Sequence, residues 1–103
     1  AIYFHCDVLA IRVGGSAVRG SVGDFASWTE TGVATMSYTA EGYNGFIKRN
    51  RSSKQSEGDV SVWRPTAALE DQYLKINVRG SADTIIEWAI TIRITQIQTS
   101  VTL

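Results

Sequence analysis

The stretch that decides the fold is residues 85–95, IIEWAITIRIT, within the 103-residue chain. Its even-numbered positions are all large and apolar, whereas its odd-numbered positions are mostly polar or charged. Side chains that alternate with a period of two line opposite faces of a β-strand. The stretch therefore predicts one long strand. Its apolar face consists of Ile86, Trp88, Ile90, Ile92 and Ile94.

After Ile94 the apolar positions change parity, and one strand register cannot bury both sets on the same face. We expect either a bulge near Gln96 or an extended arm over residues 96–103 that leaves the sheet. Residues 84–103 would span about 60 Å when extended, whereas a domain of this size is about 25–30 Å across. The arm is expected to bend back, extend into solvent or reach another subunit. The arm residues assigned to a subunit contact are Ile97, Val101 and Leu103.

Alternating segments recur along the chain and favour strands over helices. The 10 Ile, 9 Val and 10 Thr outnumber the 4 Leu, and β-branched residues fit a pleated surface. Asn44-Gly45 predicts a hairpin tip with 46–49 as the return strand, and residues 50–58, which lack apolar side chains, predict an exposed loop. The other predicted strands cover residues 2–13, 17–22, 25–31, 33–39, 59–64 and 73–79.

The predicted fold class is all-β, with residues 1–103 as a single domain. Seven or eight mainly antiparallel strands at short spacing are typical of a β-sandwich or a partly closed β-barrel. At most one short helix is expected, near residues 66–72, with Thr66 as a candidate N-cap.

Composition argues against several functional classes. A single Cys cannot form an internal disulfide, and one His with scattered carboxylates offers no metal-ligand spacing. No apolar run is long enough for a membrane-spanning helix, and residues 1–7 do not resemble a signal peptide, so we expect intracellular synthesis. We therefore predict no metal, no cofactor and no membrane partner.

His5 and Asp7 are the one pair that could support catalysis, because they share a strand face and could act as a base and its orienting group. Cys6 points to the opposite face, and no nucleophile-elbow pattern is present. A hydrolase that uses His5 and Asp7 is the weakest of three functional alternatives. We predict that the chain is not an enzyme and has no catalytic residues.

The zero net charge is a sum of segregated segments. Residues 1–47 carry a net charge of −2, residues 48–54 carry +4, and residues 55–103 carry −2. A neutral chain argues against a general nucleic-acid partner. The basic segment could instead contact an acidic face of an identical copy. Its residues assigned to a subunit interface are Lys48, Arg49, Arg51 and Lys54.

Aromatic residues offer an alternative function. Trp63 lies opposite the Val60–Val62 face and Tyr43 lies near the predicted hairpin tip, so both are candidates for exposed stacking against a ligand. The chain would then be a monomeric binding module, and carbohydrate would be one suitable ligand.

Three segments resemble small β-rich structural proteins of tailed phages, of the tail-tube type. They are the run from Trp28 through Tyr43, the long charged loop, and residues 87–95. The resemblance implies β-sandwich subunits that assemble into rings or tubes through sheet edges, with residues 46–58 reaching an adjacent ring. It also implies a virion location and contacts with other structural proteins of an assembly.

Together these features predict a non-enzymatic structural subunit that self-assembles into a homo-oligomer, ring, tube or virion-type assembly. The expected contacts are the sheet edges, the basic segment and the C-terminal arm. The main partner is expected to be the chain itself.

Overall fold

The computed structural model describes residues 2–39, 42–70 and 73–96. Its regular structure consists of strands, and these residues form no helix. The all-β prediction is confirmed, although the described residues form six strands where we expected seven or eight. The strands are β1 (Ile2–Gly14), β2 (Phe25–Thr39), β3 (Gly42–Glu57), β4 (Arg64–Glu70), β5 (Tyr73–Arg79) and β6 (Ile85–Gln96).

Four strands form one antiparallel sheet in the order β3-β2-β1-β6, so β3 and β6 lie at its edges. The remaining two, β4 and β5, form a separate antiparallel hairpin. This hairpin packs on one face of the large sheet, which we name the inner face; the opposite face is the outer face. The described strands therefore form two sandwich-like layers and do not close into a barrel.

The core lies between the hairpin and the inner face. The alternation predicted in residues 2–13 is confirmed, because every second side chain of β1 from Phe4 to Ala10 is buried. The rings of Trp28 and Trp88 stack with centroids 5.8 Å apart and planes 17° apart. The other buried members of the core are Cys6, Val8, Ala26, Val60, Trp63 and Ala67.

Gly32 is a place where the core requires glycine. It pairs with Phe4 across β1 and β2, and the ring of Phe4 lies over it. A Cβ at this position would lie 2.7 Å from Phe4 Cζ and 2.3 Å from the Lys48 carbonyl oxygen. The absence of a side chain at Gly32 lets the aromatic ring and the β3 backbone both approach β2 closely.

Residues 15–24 form a loop, so the short strand predicted at 17–22 is absent. The buried guanidinium of Arg12 organises this loop by donating hydrogen bonds to backbone carbonyls, including those of Arg19 at 2.8 Å and Ala17 at 3.1 Å. Gly20 and Gly23 have positive φ, which an extended strand does not allow. Local backbone geometry therefore overrides the alternating pattern.

The predicted hairpin tip at Asn44-Gly45 is wrong. Thr39 pairs with Gly42, so Asn44 and Gly45 lie inside β3, opposite Ser37 and Met36. The alternation of apolar and polar residues in the β2 sequence extends to Thr39. The pairing of β2 with β3 continues to Thr39 and Gly42, so it includes Asn44 and Gly45.

The predicted loop at 50–58 is also wrong, because β3 extends to Glu57. The predicted exposure of these residues is nevertheless correct: residues 50–57 are all exposed. An edge strand obtains its ladder hydrogen bonds from its neighbour, so it needs no apolar face of its own.

The segment around Pro65 also differs from expectation. The strand predicted at 59–64 is replaced by turns and bends, while β4 runs through Pro65 and includes most of the region predicted as a helix. Among the described strands β4 pairs only with β5, and proline is tolerated in strands with a free edge. Inward packing of Pro65 and Ala67 overrides the helix propensity of Ala, Leu and Glu.

Candidate interaction surface

The β6 strand has a free edge in the structure. It pairs with β1 along its whole length, from Gln96 opposite Ile2 to Ile85 opposite Gly14. On its other side, no strand of the described ranges 2–39, 42–70 and 73–96 pairs with it. Such an edge presents a row of backbone N–H and C=O groups to which a further strand can bind.

The isoleucine row of β6 shares the inner face, as predicted, but only part of it is covered. Trp88 stacks against Trp28 and packs on the core of the inner face. Beyond it, Ile90, Ile92 and Ile94 are 39%, 46% and 57% exposed. Along β6 the side chains of this row therefore change from packed on the core to exposed. The exposed residues lie on the strand that has the free edge.

The outer face is mixed. Its apolar residues on β1 and β2 are partly exposed, and they include Tyr3, Leu9, Ile11, Val13 and Val33. A polar band crosses them at His5 and Asp7, next to Thr91 and Arg93 of β6.

The predicted juxtaposition of His5 and Asp7 is present. His5 Nε2 lies 3.2 Å from Asp7 Oδ1, which also accepts a hydrogen bond from Thr29 Oγ1 at 3.3 Å. The hydrogen bond with His5 is the main cause that holds the pKa of Asp7 below its ordinary value, with smaller contributions from Thr29 and Arg93. The arrangement fixes the orientation of the imidazole. Asp7 is the hydrogen-bond partner of the His5 ring among the described residues.

The basic residues of β3 divide into two groups. Arg49 and Arg51 belong to the inner face, and they donate hydrogen bonds to the carbonyls of Ala67 and Pro65, the latter at 2.9 Å. They thus bind the free edge of β4 and hold the hairpin on the sheet. The Arg residues assigned to a subunit interface therefore have an intramolecular role that sequence reasoning missed.

All four basic residues are exposed to solvent, and the other two are Lys48 and Lys54. Lys48 pairs with Val33, and Lys54 lies at the irregularity where the β2–β3 register shifts. They leave positive charge along the exposed edge strand β3, which lies on the opposite side of the sheet from β6. Lysine on an edge strand discourages pairing with another chain.

Glu30 is a buried carboxylate that sequence reasoning also missed. It lies on β2 between Cys6 on β1 and Arg51 on β3, and its side chain is 1% exposed. Its Oε1 atom accepts a hydrogen bond from the Ala67 N–H at 3.2 Å, whereas Oε2 has no partner among the described residues.

Burial, followed by the charges of Glu30 and Asp7, raises the pKa of the Cys6 thiol. Cys6 is fully buried and belongs to the core.

The predicted exposure of Trp63 is wrong. Trp63 is 3% exposed and belongs to the core, where its Nε1 donates a hydrogen bond to Ser81 Oγ at 2.9 Å. An indole that is buried in this way has no free face for a ligand.

Tyr43 lies in β3, opposite Tyr38, and its side chain is outside the described part. The arm residues Ile97, Val101 and Leu103 also lie outside the described residues.

An open cleft of about 340 Å³ lies between the loops at one end of the molecule. Several of its polar groups are already paired within the chain. Arg19 forms an ion pair with Asp59 at 3.2 Å, Ser81 bonds to Thr84 at 3.1 Å, and Arg12 is bound by carbonyls. These intramolecular contacts already occupy Arg12, Arg19 and Ser81.

Within residues 2–39, 42–70 and 73–96, no group of three or more His, Cys, Asp or Glu side chains could hold a metal ion. The same part of the chain contains no helix long and apolar enough to cross a membrane.

Comparison of the chain with protein families, with curated proteins and with solved structures finds no match.

Proposed function

We propose that this chain is a non-enzymatic structural subunit that self-associates through its sheet edges. The observation that carries the proposal is the free edge of β6 together with the exposed row of Ile90, Ile92 and Ile94. Soluble monomers commonly protect sheet edges with charges, prolines, bulges or short strands. β6 is long and lacks proline, and its exposed inner-face row is uncharged. A second strand added at this edge would pair its backbone and cover apolar side chains.

The two edges of the sheet differ in a way that favours β6 as the contact. From Lys48 to Glu57, β3 is composed of polar and charged residues that tolerate solvent. Its two Arg side chains there donate hydrogen bonds to β4 of the same chain. β6 presents isoleucine instead. The assembly proposed from the sequence therefore depends mainly on β6, with Lys48 and Lys54 available for electrostatic contacts.

The shape of the subunit also supports an assembly. The molecule measures 65 × 26 × 16 Å, and its radius of gyration is 17.3 Å, whereas a compact domain of this length has about 13 Å. A thin slab buries less of its own apolar surface than a sphere does, so its faces and edges are available to neighbours. The resemblance to tail-tube proteins favours the same class of function. The proposed partners are copies of this chain and other structural proteins of a ring, tube or virion-type assembly.

Light scattering coupled to size-exclusion chromatography over a range of concentrations tests this function. We expect an oligomer whose population grows with concentration. Ile92→Lys should shift it towards monomer, because the lysine would place a charge within the apolar contact. Val18→Lys is the matched control, since Val18 is 97% exposed in the loop before β2. A wild-type chain that stays monomeric at every concentration would contradict the proposed function.

A further inference from the structure

The β6 edge is self-complementary in one antiparallel register. We infer that two copies of the chain pair through β6 about a two-fold axis at Ile90. In this register Glu87 of each copy lies opposite Arg93 of the other. The inference rests on the proposed self-association and specifies its contact.

The charges of β6 select this register. Glu87 and Arg93 both lie on the outer face, opposite Ile11 and His5 of β1. They are equally spaced on either side of Ile90. In a two-fold antiparallel pair, directly opposite residues share a face, so Glu87 meets Arg93 twice, once on each side of the axis. An axis at Glu87 or at Arg93 would instead place like charges opposite each other.

The apolar row agrees with the same register. On the inner face, Ile90 would lie opposite itself, Ile92 opposite Trp88, and Ile94 opposite Ile86. Each exposed isoleucine thus meets an apolar residue of the second copy, and no charge faces it. Of these positions, Ile90, Ile92 and Ile94 are the exposed ones, while Ile86 and Trp88 already pack on the core.

The extent of overlap also favours an axis at Ile90. β6 runs from Ile85 to Gln96, so Ile90 lies near its centre, and residues 85–95 would pair along their whole length. The product would be a continuous eight-stranded sheet, since each copy contributes four strands. Both hairpins would lie on the same side of that sheet, at opposite ends of the contact.

Charge reversal tests the register. In Glu87→Arg, and equally in Arg93→Glu, both ion pairs of the dimer become like-charge pairs. We expect each variant alone to weaken self-association roughly tenfold or more. When the two variants are mixed, Arg meets Glu at both positions, so heterodimers should form with about wild-type affinity. The double variant E87R/R93E should also recover self-association.

Sedimentation equilibrium on the 103-residue chain measures all of these states. E57R is the matched control, because Glu57 is an exposed charge on β3, the edge strand opposite β6, and this variant should self-associate like the wild type. Recovery on mixing cannot arise from a variant that fails to fold, so a folding defect and a lost contact are distinguishable.

Three outcomes of these measurements separate an error in the register from an error in the proposed function. If the wild type self-associates and both single reversals behave like it, the register at Ile90 is wrong, although the proposed function survives. If both reversals dissociate the oligomer and neither mixing nor the double variant restores it, the Glu87–Arg93 pairing is wrong. A monomeric wild type would overturn both the register and the proposed function.

Discussion

Glu30, buried in the large sheet, accepts a hydrogen bond from the backbone N–H of Ala67 across the two layers of the fold, with Oε1 and N 3.2 Å apart. Arg49 and Arg51 donate to the neighbouring carbonyls of the same strand. Three polar side chains therefore satisfy the free edge of β4, which no other described strand covers. The hairpin is held on the sheet by these hydrogen bonds as well as by apolar packing.

Glu30→Ala should destabilise the fold by about 2–3 kcal/mol, because the Ala67 N–H would remain buried without an acceptor. Glu30→Gln keeps an acceptor oxygen and should cost less. Chemical denaturation monitored by tryptophan fluorescence measures both free energies of unfolding. Glu57→Ala, at the exposed end of β3, is the control and should change stability by less than about 0.5 kcal/mol. Equal stabilities of Glu30→Ala and Glu57→Ala would show that the Glu30–Ala67 bond does not hold the hairpin.

Gly32→Val should destabilise the protein by about 2–4 kcal/mol, because the added side chain would overlap both the Phe4 ring and the Lys48 carbonyl. Gly14→Ala is a suitable comparison. A Cβ there would meet its nearest atom, in Ile85, at an ordinary contact distance of 3.5 Å. We expect its effect on the free energy of unfolding to be within about 1 kcal/mol. Thermal unfolding followed by circular dichroism distinguishes the two, and a tolerated Gly32→Val would contradict the packing of Phe4.

Acidification should weaken the fold partly through Asp7. Its pKa is lowered in the folded state, first by the hydrogen bond with His5. Its contribution to stability is therefore complete above the unfolded-state pKa, and it is lost as the pH falls through the lower folded-state value. The stability advantage of the wild type over Asp7→Asn should shrink over that acidic range. An advantage that grows on acidification would have the wrong sign.

The causes of the Asp7 shift can be ranked by NMR titration of its carboxyl group. His5→Ala should raise the Asp7 pKa towards its ordinary value by more than Thr29→Val does, because the His5 hydrogen bond contributes most. A larger rise in Thr29→Val would reverse this ranking.

The sequence predicted those parts of the fold in which side-chain alternation is enforced by burial. On β1, Phe4 through Ala10 alternate because one face packs on the hairpin, and the isoleucines of β6 share a face as expected. Residues 50–57 appeared to be a loop because an edge strand exposed to solvent leaves no apolar pattern in its sequence. Asn44-Gly45 and residues 66–70 show local turn or helix propensity that long-range strand pairing overrides.

The candidate surface could be predicted only in part. The apolar character of Ile90, Ile92 and Ile94 is visible in the sequence, but their exposure depends on how far the β4–β5 hairpin extends across the sheet. The intramolecular role of Arg49 and Arg51 depends on contacts with residues 18 and 14 positions away, respectively, which no local pattern reveals. In the sequence Trp63 shares a predicted face with Ser61, opposite Val60 and Val62, yet the turn before β4 directs it into the core.

Hydrogen–deuterium exchange of the 103-residue chain, measured at a low and a high protein concentration, tests the central role of β6 most directly. We predict that amides of residues 85–96 exchange more slowly at high concentration, while those of the opposite edge strand, residues 48–57, do not change. If exchange in residues 85–96 does not depend on concentration, or if the added protection lies on β3 instead, then β6 is not the surface through which copies of this chain associate.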